Sequence, residues 1–390
     1  MAAETTPTAS GRTKYLVFSF IFGLPLLTFL IWWFFLRTVD TTIQTTFDGT
    51  SEQLERTVIV PTLDTPTPAG KNVIWCASFQ LAWNKLKNDM AGGPIQIQNA
   101  EAVAKSLNDA PQSESDLPPG SFYTAAGRDS DGILNTIRTD MARLFPGVRV
   151  SDLPQNPDGV TAYAYLQASV RFEFPYFEDP KGFPFSNGKN VSGFGLRHEH
   201  EGAQNRLRGQ VEVLYAASDE ERHARYDATS YALDMCKNSR PNQLVLACIK
   251  PEKTLQETLN NLEAKIASTP QSAKGRRLEF DANLRVPNMH WKITHRLREL
   301  EGPDKPLLNP TLRGLYIDLA QQIIDFKLDR SGAELASEAA IHMKGGGHDY
   351  YFDRPFLLYV KKRDAEHPFF VIWVENDELL EQPRSTGQGP

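Results

Sequence analysis

The chain has 390 residues, of which 41% are hydrophobic and 23% charged, an ordinary globular composition with the length to bury one large core. Its net charge of -6 argues against a nucleic-acid partner, which needs a clustered basic footprint. The densest basic run, Lys361-Lys362-Arg363, is followed by Asp364 and reads as a solvated turn.

Residues 1–14 read as a short cytoplasmic N-terminus. Tyr15 to Leu36 is a stretch of 22 residues without a charge, and about 20 such residues span a bilayer core. Trp32 and Trp33 suit an interface, and Arg12 and Lys14 precede the span. A single-pass signal anchor over 15–37 follows, with the main domain on the extracytoplasmic side and membrane lipid as a partner of Tyr15–Leu36. The Thr-, Pro- and Asp-rich stretch 38–70 lacks apolar periodicity and is expected to be a tether.

Folded structure is expected over 71–378, with a disordered tail over 379–390. Val73–Trp75 reads as a strand. A helix follows with Phe79, Ala82, Trp83, Leu86 and Met90 on one face, then a second over Ile133–Phe145 capped from Asp129, Ser130 or Asp131. Residues 163–174 alternate, placing Ala168, Val170, Phe172 and Phe174 on one side of a strand. Tyr231–Met235 and Gln243–Ile249 make a hairpin that leaves Cys236 and Cys248 out of register, so these and Cys76 are expected as buried thiols. Thr254 and Glu257 form a capping-box pattern for a third helix. Strands are expected at 278–286, 323–328, 356–360 and 369–374. Helices early and strands late indicate an α+β fold with large mixed or antiparallel sheets and the helices packed at one end.

No enzyme site is defensible from the motifs, and none asks for a cofactor or a metal. His198-Glu199-His200 has the wrong spacing for a helical zinc motif. Gly345-Gly346-Gly347 lacks the Lys-Ser/Thr and strand-helix context of a phosphate loop. Asn190-Val191-Ser192 is a glycosylation sequon, meaningful in a eukaryotic secretory pathway. Ala333–Lys344 alternates, with Ala333, Leu335, Ser337, Ala339, Ile341 and Met343 on one side, between Gly332 and the glycine run.

IIDFKLDRSGAELASEAA, YYFDRPFLLYV and PFFVIWVEND together resemble the C-terminus of serpins. Upstream, Asn72-Val-Ile-Trp-Cys-Ala, Phe174-Pro-Tyr-Phe177, the hairpin 231–249, the helix from Thr254 and the segment Leu278–Asn288 fall in serpin order. The resemblance covers about residues 70–378 and implies a serpin-like fold. It also implies a reactive loop with its hinge at Gly332, Ala333, Leu335, Ser337 and Ala339, and a scissile region at Lys344, Gly345, Gly346 and Gly347. The implied activity is inhibition of a target protease, whose cut frees the loop to enter the main sheet as a strand. Several departures favour the alternative, a non-inhibitory binding or scaffold protein at the membrane surface. Cys76, Ala77 and Phe79 replace Ser, Pro and Ser beneath the sheet opening, and Gln322 replaces a His. Phe172 or Phe174 replaces a Trp at the top of the sheet, and a shortfall of two residues between Gly332 and Pro355 leaves the register of the scissile bond open. Only 15 residues separate Phe145 from Thr161, too few for the helix that crosses the main sheet in the family.

Overall fold

A computed structural model describes residues 45–383 apart from 149, 151, 152, 154, 155, 157, 158, 169, 187, 197–200, 218–229, 271–274, 280, 281 and 333–348. Among the described residues there are three sheets. The main sheet contains β1 (Phe47–Thr50), β4 (Phe122–Arg128), β5 (Gly159–Ala168), β12 (Met289–Arg296) and β13 (Tyr316–Leu328), in the order β1-β12-β13-β5-β4. Neighbours are antiparallel except β1 with β12 and β13 with β5, which run parallel.

The largest sheet has the order β2-β3-β16-β15-β10-β9-β8. Its strands are β2 (Thr57–Ile59), β3 (Asn72–Cys76), β8 (Glu212–Ala216), β9 (Tyr231–Asp234), β10 (Asn242–Cys248), β15 (Phe356–Lys362) and β16 (Phe370–Val374). A third sheet joins β14 (Asp349–Tyr351), β11 (Asn283–Pro287), β7 (Asn190–Leu196) and β6 (Phe177–Pro184) in that order. Val73–Cys76, Phe356–Val360 and Phe370–Val374 are unbroken apolar runs because both their faces are covered. One core joins the largest sheet to the back of the main sheet, where Phe326 stacks on Phe370 at 4.6 Å and Trp291 lies 5.3 Å from Phe326.

In β5 the alternation Ala162-Tyr163-Ala164-Tyr165 reflects two different coverings. The alanines face back, and their small size admits Phe79, Ala82 and Trp83 of helix α1 (Ala77–Lys85). Leu107 of α2 (Glu101–Asp109) joins that cluster at the end of the sheet away from Gly332. The tyrosines face forward, under Leu134, Ile137 and Met141 of α3 (Ile133–Leu144), with Phe145 4.6 Å from Tyr165. Two further helices are α4 (Glu201–Gly209) and α5 (Leu255–Ser268).

Several expectations need correction. The stretch expected as a tether is folded from residue 45 onward: β1 and β2 pair into two different sheets, and Ile59, Val60 and Leu63 are buried. So few apolar residues are involved that they do not show as periodicity. At the other end, Leu379 and Leu380 are buried, so the core extends past 378. The strand expected at 163–174 begins at Gly159 and ends at Ala168, and the strand expected from 278 begins at Asn283. The helices do not gather at one end, since α3 lies on the front of the main sheet. The spacing from Phe145 to Thr161 is too short for a crossing helix, but α3, which precedes it, covers the face shared by β5 and β13. Gly132, with φ +83°, stands at the N-terminus of α3 in place of an Asp or Ser cap, and Leu144 is exposed. The capping box of α5 holds by half: Thr254 accepts from the Glu257 amide at 3.0 Å, while the Glu257 carboxylate takes the amide of Lys253. All three cysteines are buried and unbridged. The span expected as an anchor, Tyr15–Leu36, lies outside the described residues, among which no helix is long and apolar enough to cross a membrane.

Candidate functional site: the seam between β5 and β13

At the centre of the main sheet, β5 and β13 pair from Tyr316/Gly159 to Phe326/Ala168. Both strands run toward the same end of the sheet, and there the two chains part. After Leu328 the chain enters a turn in which the Gly332 amide donates to the Asp329 carbonyl at 3.0 Å. Ser331 N–H donates to the Asp329 carboxylate at 2.8 Å, and Lys327 lies 3.3 Å from its other oxygen, so the turn is held by a charged clip. Gly332 has φ +82°, a conformation glycine adopts at no steric cost. A side chain there would also collide with the Val170 carbonyl and Arg171 Cα, because the chain beyond β5 crosses directly over it.

That crossing segment seals the top of the seam. Phe172 N–H donates to Ser331 O at 3.3 Å and Tyr176 N–H to Arg330 O at 2.7 Å. Arg330 Nε returns a bond to Tyr176 O at 2.9 Å. Phe172 is the buried aromatic at this position, edge-on to Tyr176 at 4.8 Å, while Phe174 is half-buried. The seam is therefore closed along its whole described length.

Midway down, the back of the seam carries a small polar cluster. Gln322 sits opposite Ala164 on β5 and His295 on β12. Its Nε2 donates to the Cys76 carbonyl at 3.1 Å and to Ser78 Oγ at 2.8 Å, and Cys76 Sγ is 3.2 Å from the same hydroxyl. Gln322 thus ties β13 to the start of α1 and satisfies groups that burial would otherwise leave unpaired. Burial pushes the Cys76 thiol up to about 11, which makes it a poor nucleophile at neutral pH. The His295 ring, bonded through Nδ1 to Ser51 Oγ at 2.7 Å, is pushed down to about 4 by burial, so it is neutral.

Of the residues expected in the reactive loop, Gly332 is placed by the structure at the end of the seam. Ala333, Leu335, Ser337, Ala339, Lys344, Gly345, Gly346 and Gly347 lie outside the described residues, as do His198, Glu199 and His200. The Phe172–Tyr176 crossing went unrecognised in the sequence, because Tyr176 and its partner Arg330 are 154 residues apart. The clip from Lys327 to Ser331 is local, but its residue types are those of any polar turn.

No family model matches the chain, and neither does any curated protein. Solved structures similar to it are serpins. Serpin48 of the insect Tenebrio molitor is 11% identical with a TM-score of 0.46, the match covering 78% of this chain and 91% of that one. The thermophilic serpin tengpin in its native state is 14% identical with a TM-score of 0.49, covering 80% and 90%. Human glycosylated kallistatin is 14% identical with a TM-score of 0.46, covering 78% and 92%.

Proposed function

We propose that this protein is a serpin-like protease inhibitor displayed on the outer side of a membrane, acting by cleavage of residues 333–348 and insertion of the freed strand into the seam. The observation that carries this reading is the parallel β5/β13 pair ending in the Gly332 turn. A strand that leaves β13 through a tight turn and comes back between β13 and β5 runs antiparallel to both. Each parallel rung given up is replaced by two antiparallel ones, which are at least as stable per residue. Ala333, Ser337 and Ala339 are small enough for the inward side of such a strand, and Leu335, Ile341 and Met343 add apolar burial. Display on the membrane rests on the uncharged span Tyr15–Leu36 and the flanking Arg12 and Lys14.

The test is the melting temperature before and after a single cut between Lys344 and Gly347. Insertion predicts a rise of more than about 10 °C, since a new ladder adds several kcal/mol and each kcal/mol moves a domain of this size by roughly 2–4 °C. Ala339→Arg, which puts a charge on the inward side, abolishes the rise without changing the uncut melt. A melt unmoved by cutting, with no denaturant-resistant complex against trypsin-like or elastase-like enzymes, refutes inhibition and leaves a surface-tethered binding protein.

A further inference from the structure

Among the described residues each of the three sheets has two edge strands, and five of these six are short or irregular. β1, β2 and β14 have four, three and three residues, and β6 and β8 each carry a register shift. The sixth is β4, FYTAAGR, which pairs with β5 without a shift from Phe122/Leu166 to Arg128/Val160. The Gln167 amide donates to the Ser121 carbonyl, so the hydrogen-bonded rungs fall at Tyr123, Ala125 and Gly127. The backbone amides and carbonyls of Phe122, Thr124, Ala126 and Arg128 therefore point away from β5, and none of them bonds to another described residue. Thr124 is 7% exposed, so water serves its outward groups poorly. Long edges are ordinarily guarded by a proline, a bulge or central charges. β4 has no proline and no bulge, and its one charge sits on its last residue.

Both faces of β4 are already covered. α3 lies in front, with Ile133 2.9 Å from where a Cβ on Gly127 would stand and Asp140 accepting from the Tyr123 hydroxyl at 3.2 Å. Ala126 packs behind, against the cluster around Phe79 and Trp83. What stays open is a row of backbone groups, whose complement is another extended strand. Antiparallel pairing of β4 with a second β4, about a two-fold axis at Ala125, matches all four outward residues. Phe122 meets Arg128 and Thr124 meets Ala126, for roughly eight hydrogen bonds. A shift of two residues either way leaves one outward residue of each copy without a mate in the strand. The centred register also sets Tyr123 beside the other copy's Gly127, and the half-buried Phe122 opposite the other copy's guanidinium, a cation–π pair. The two Arg128 residues stand about 20 Å apart, so no like charges meet. Two-fold pairing uses up both β4 edges, and the remaining edges are too short or irregular to extend the sheet, so the assembly closes at two. We propose that the chain self-associates as a two-fold dimer through β4, the five strands of each copy's main sheet forming one continuous sheet. The contact needs no cut and no target enzyme. A single strand pair is a small interface, which sets the dissociation constant on the order of 10–100 μM.

The test uses the full chain in detergent micelles, with micelles in excess, at about 1 and 300 μM protein. Residue-resolved hydrogen exchange is expected to slow at least about 3-fold at Thr124 and Ala126 at the higher concentration. Tyr123, Ala125 and Gly127, already bonded to β5, should exchange alike at both. Ala126→Pro removes an outward N–H while leaving every β4–β5 bond in place, and should weaken association at least about 10-fold by sedimentation. If that variant loses its cooperative melt, the wild-type exchange comparison decides alone. Unchanged exchange at Thr124 and Ala126 overturns the dimer and leaves the edge to a strand of another protein. Association that Ala126→Pro does not weaken places the contact elsewhere and overturns it as well.

Discussion

Acidification should destabilise the fold through His295. Its ring is half-buried on the back of the main sheet, facing Ser51 and paired in register with Gln322, and desolvation there holds it at about 4 against an ordinary 6.5. The native state keeps it neutral while the unfolded chain takes up a proton, so its contribution to stability is complete above about pH 6.5 and is lost as pH falls toward 4. The full difference is about 3 kcal/mol, and the part lost between pH 7 and pH 5 is about 2 kcal/mol. Asp325 is pushed up by burial and acts in the opposite sense, gaining stability as it protonates, so the total pH dependence mixes the two. The His295→Asn variant isolates the histidine, keeping a polar atom near Nδ1 while removing the titration. Urea unfolding at pH 7, 6 and 5 should show the wild type losing about 2 kcal/mol more than the variant over that range. Equal losses in both proteins would refute the assignment, whatever the absolute stability of the variant.

Gln322→Leu leaves the Cys76 carbonyl and Ser78 hydroxyl without their donor and should cost about 2–3 kcal/mol in urea unfolding, with Ser78→Ala in the same background restoring part of it. Gly332→Ala places a Cβ against the Val170 carbonyl at positive φ and should lower stability by about 1–3 kcal/mol, read as a drop in melting temperature. Deleting residues 1–37 should yield a soluble folded domain, whereas deleting 1–52 removes β1 and uncovers the edge of β12, and should give an aggregating product on size-exclusion chromatography.

The parts of the fold legible in the sequence were those written in short runs of consecutive residues. Apolar runs such as Phe370–Val374, the helical face of Phe79, Ala82 and Trp83, and the Thr254 cap all show their physical cause locally. Sheet membership was not legible for β1, because FDGT carries one apolar side chain and its parallel partner begins only at Met289. The covering of the β5 front was misjudged for a related reason. Spacing suggested that a helix was missing, but the Tyr163 and Tyr165 side chains are covered by α3, which precedes the gap. At the seam, Gly332 announced itself through the Ser-Gly turn, while the role of Gln322 emerged with its bonds to Cys76 and Ser78 in space. Asn72 is similar: its side-chain amide binds Thr57 Oγ1, Asn376 Oδ1 and the backbone amides of Glu375 and Asn376, a link between chain ends that no local pattern encodes.

The pairing of β1 with β12 has a consequence for synthesis. The first strand of the domain has nowhere to dock until Trp291 and its neighbours have been made, and the amides of Glu55 and Arg56 await the carboxylate of Glu378. A ribosome adding about 5–20 residues per second therefore leaves this N-terminal segment unpaired for roughly 15–60 seconds. Closure of the main sheet at that edge is a late event, with a high cost in loop entropy and a slow expected rate. During that interval the edge of β12 is a template for the wrong strand, and any factor that shields residues 45–59 on the nascent chain should raise the yield of correctly closed protein.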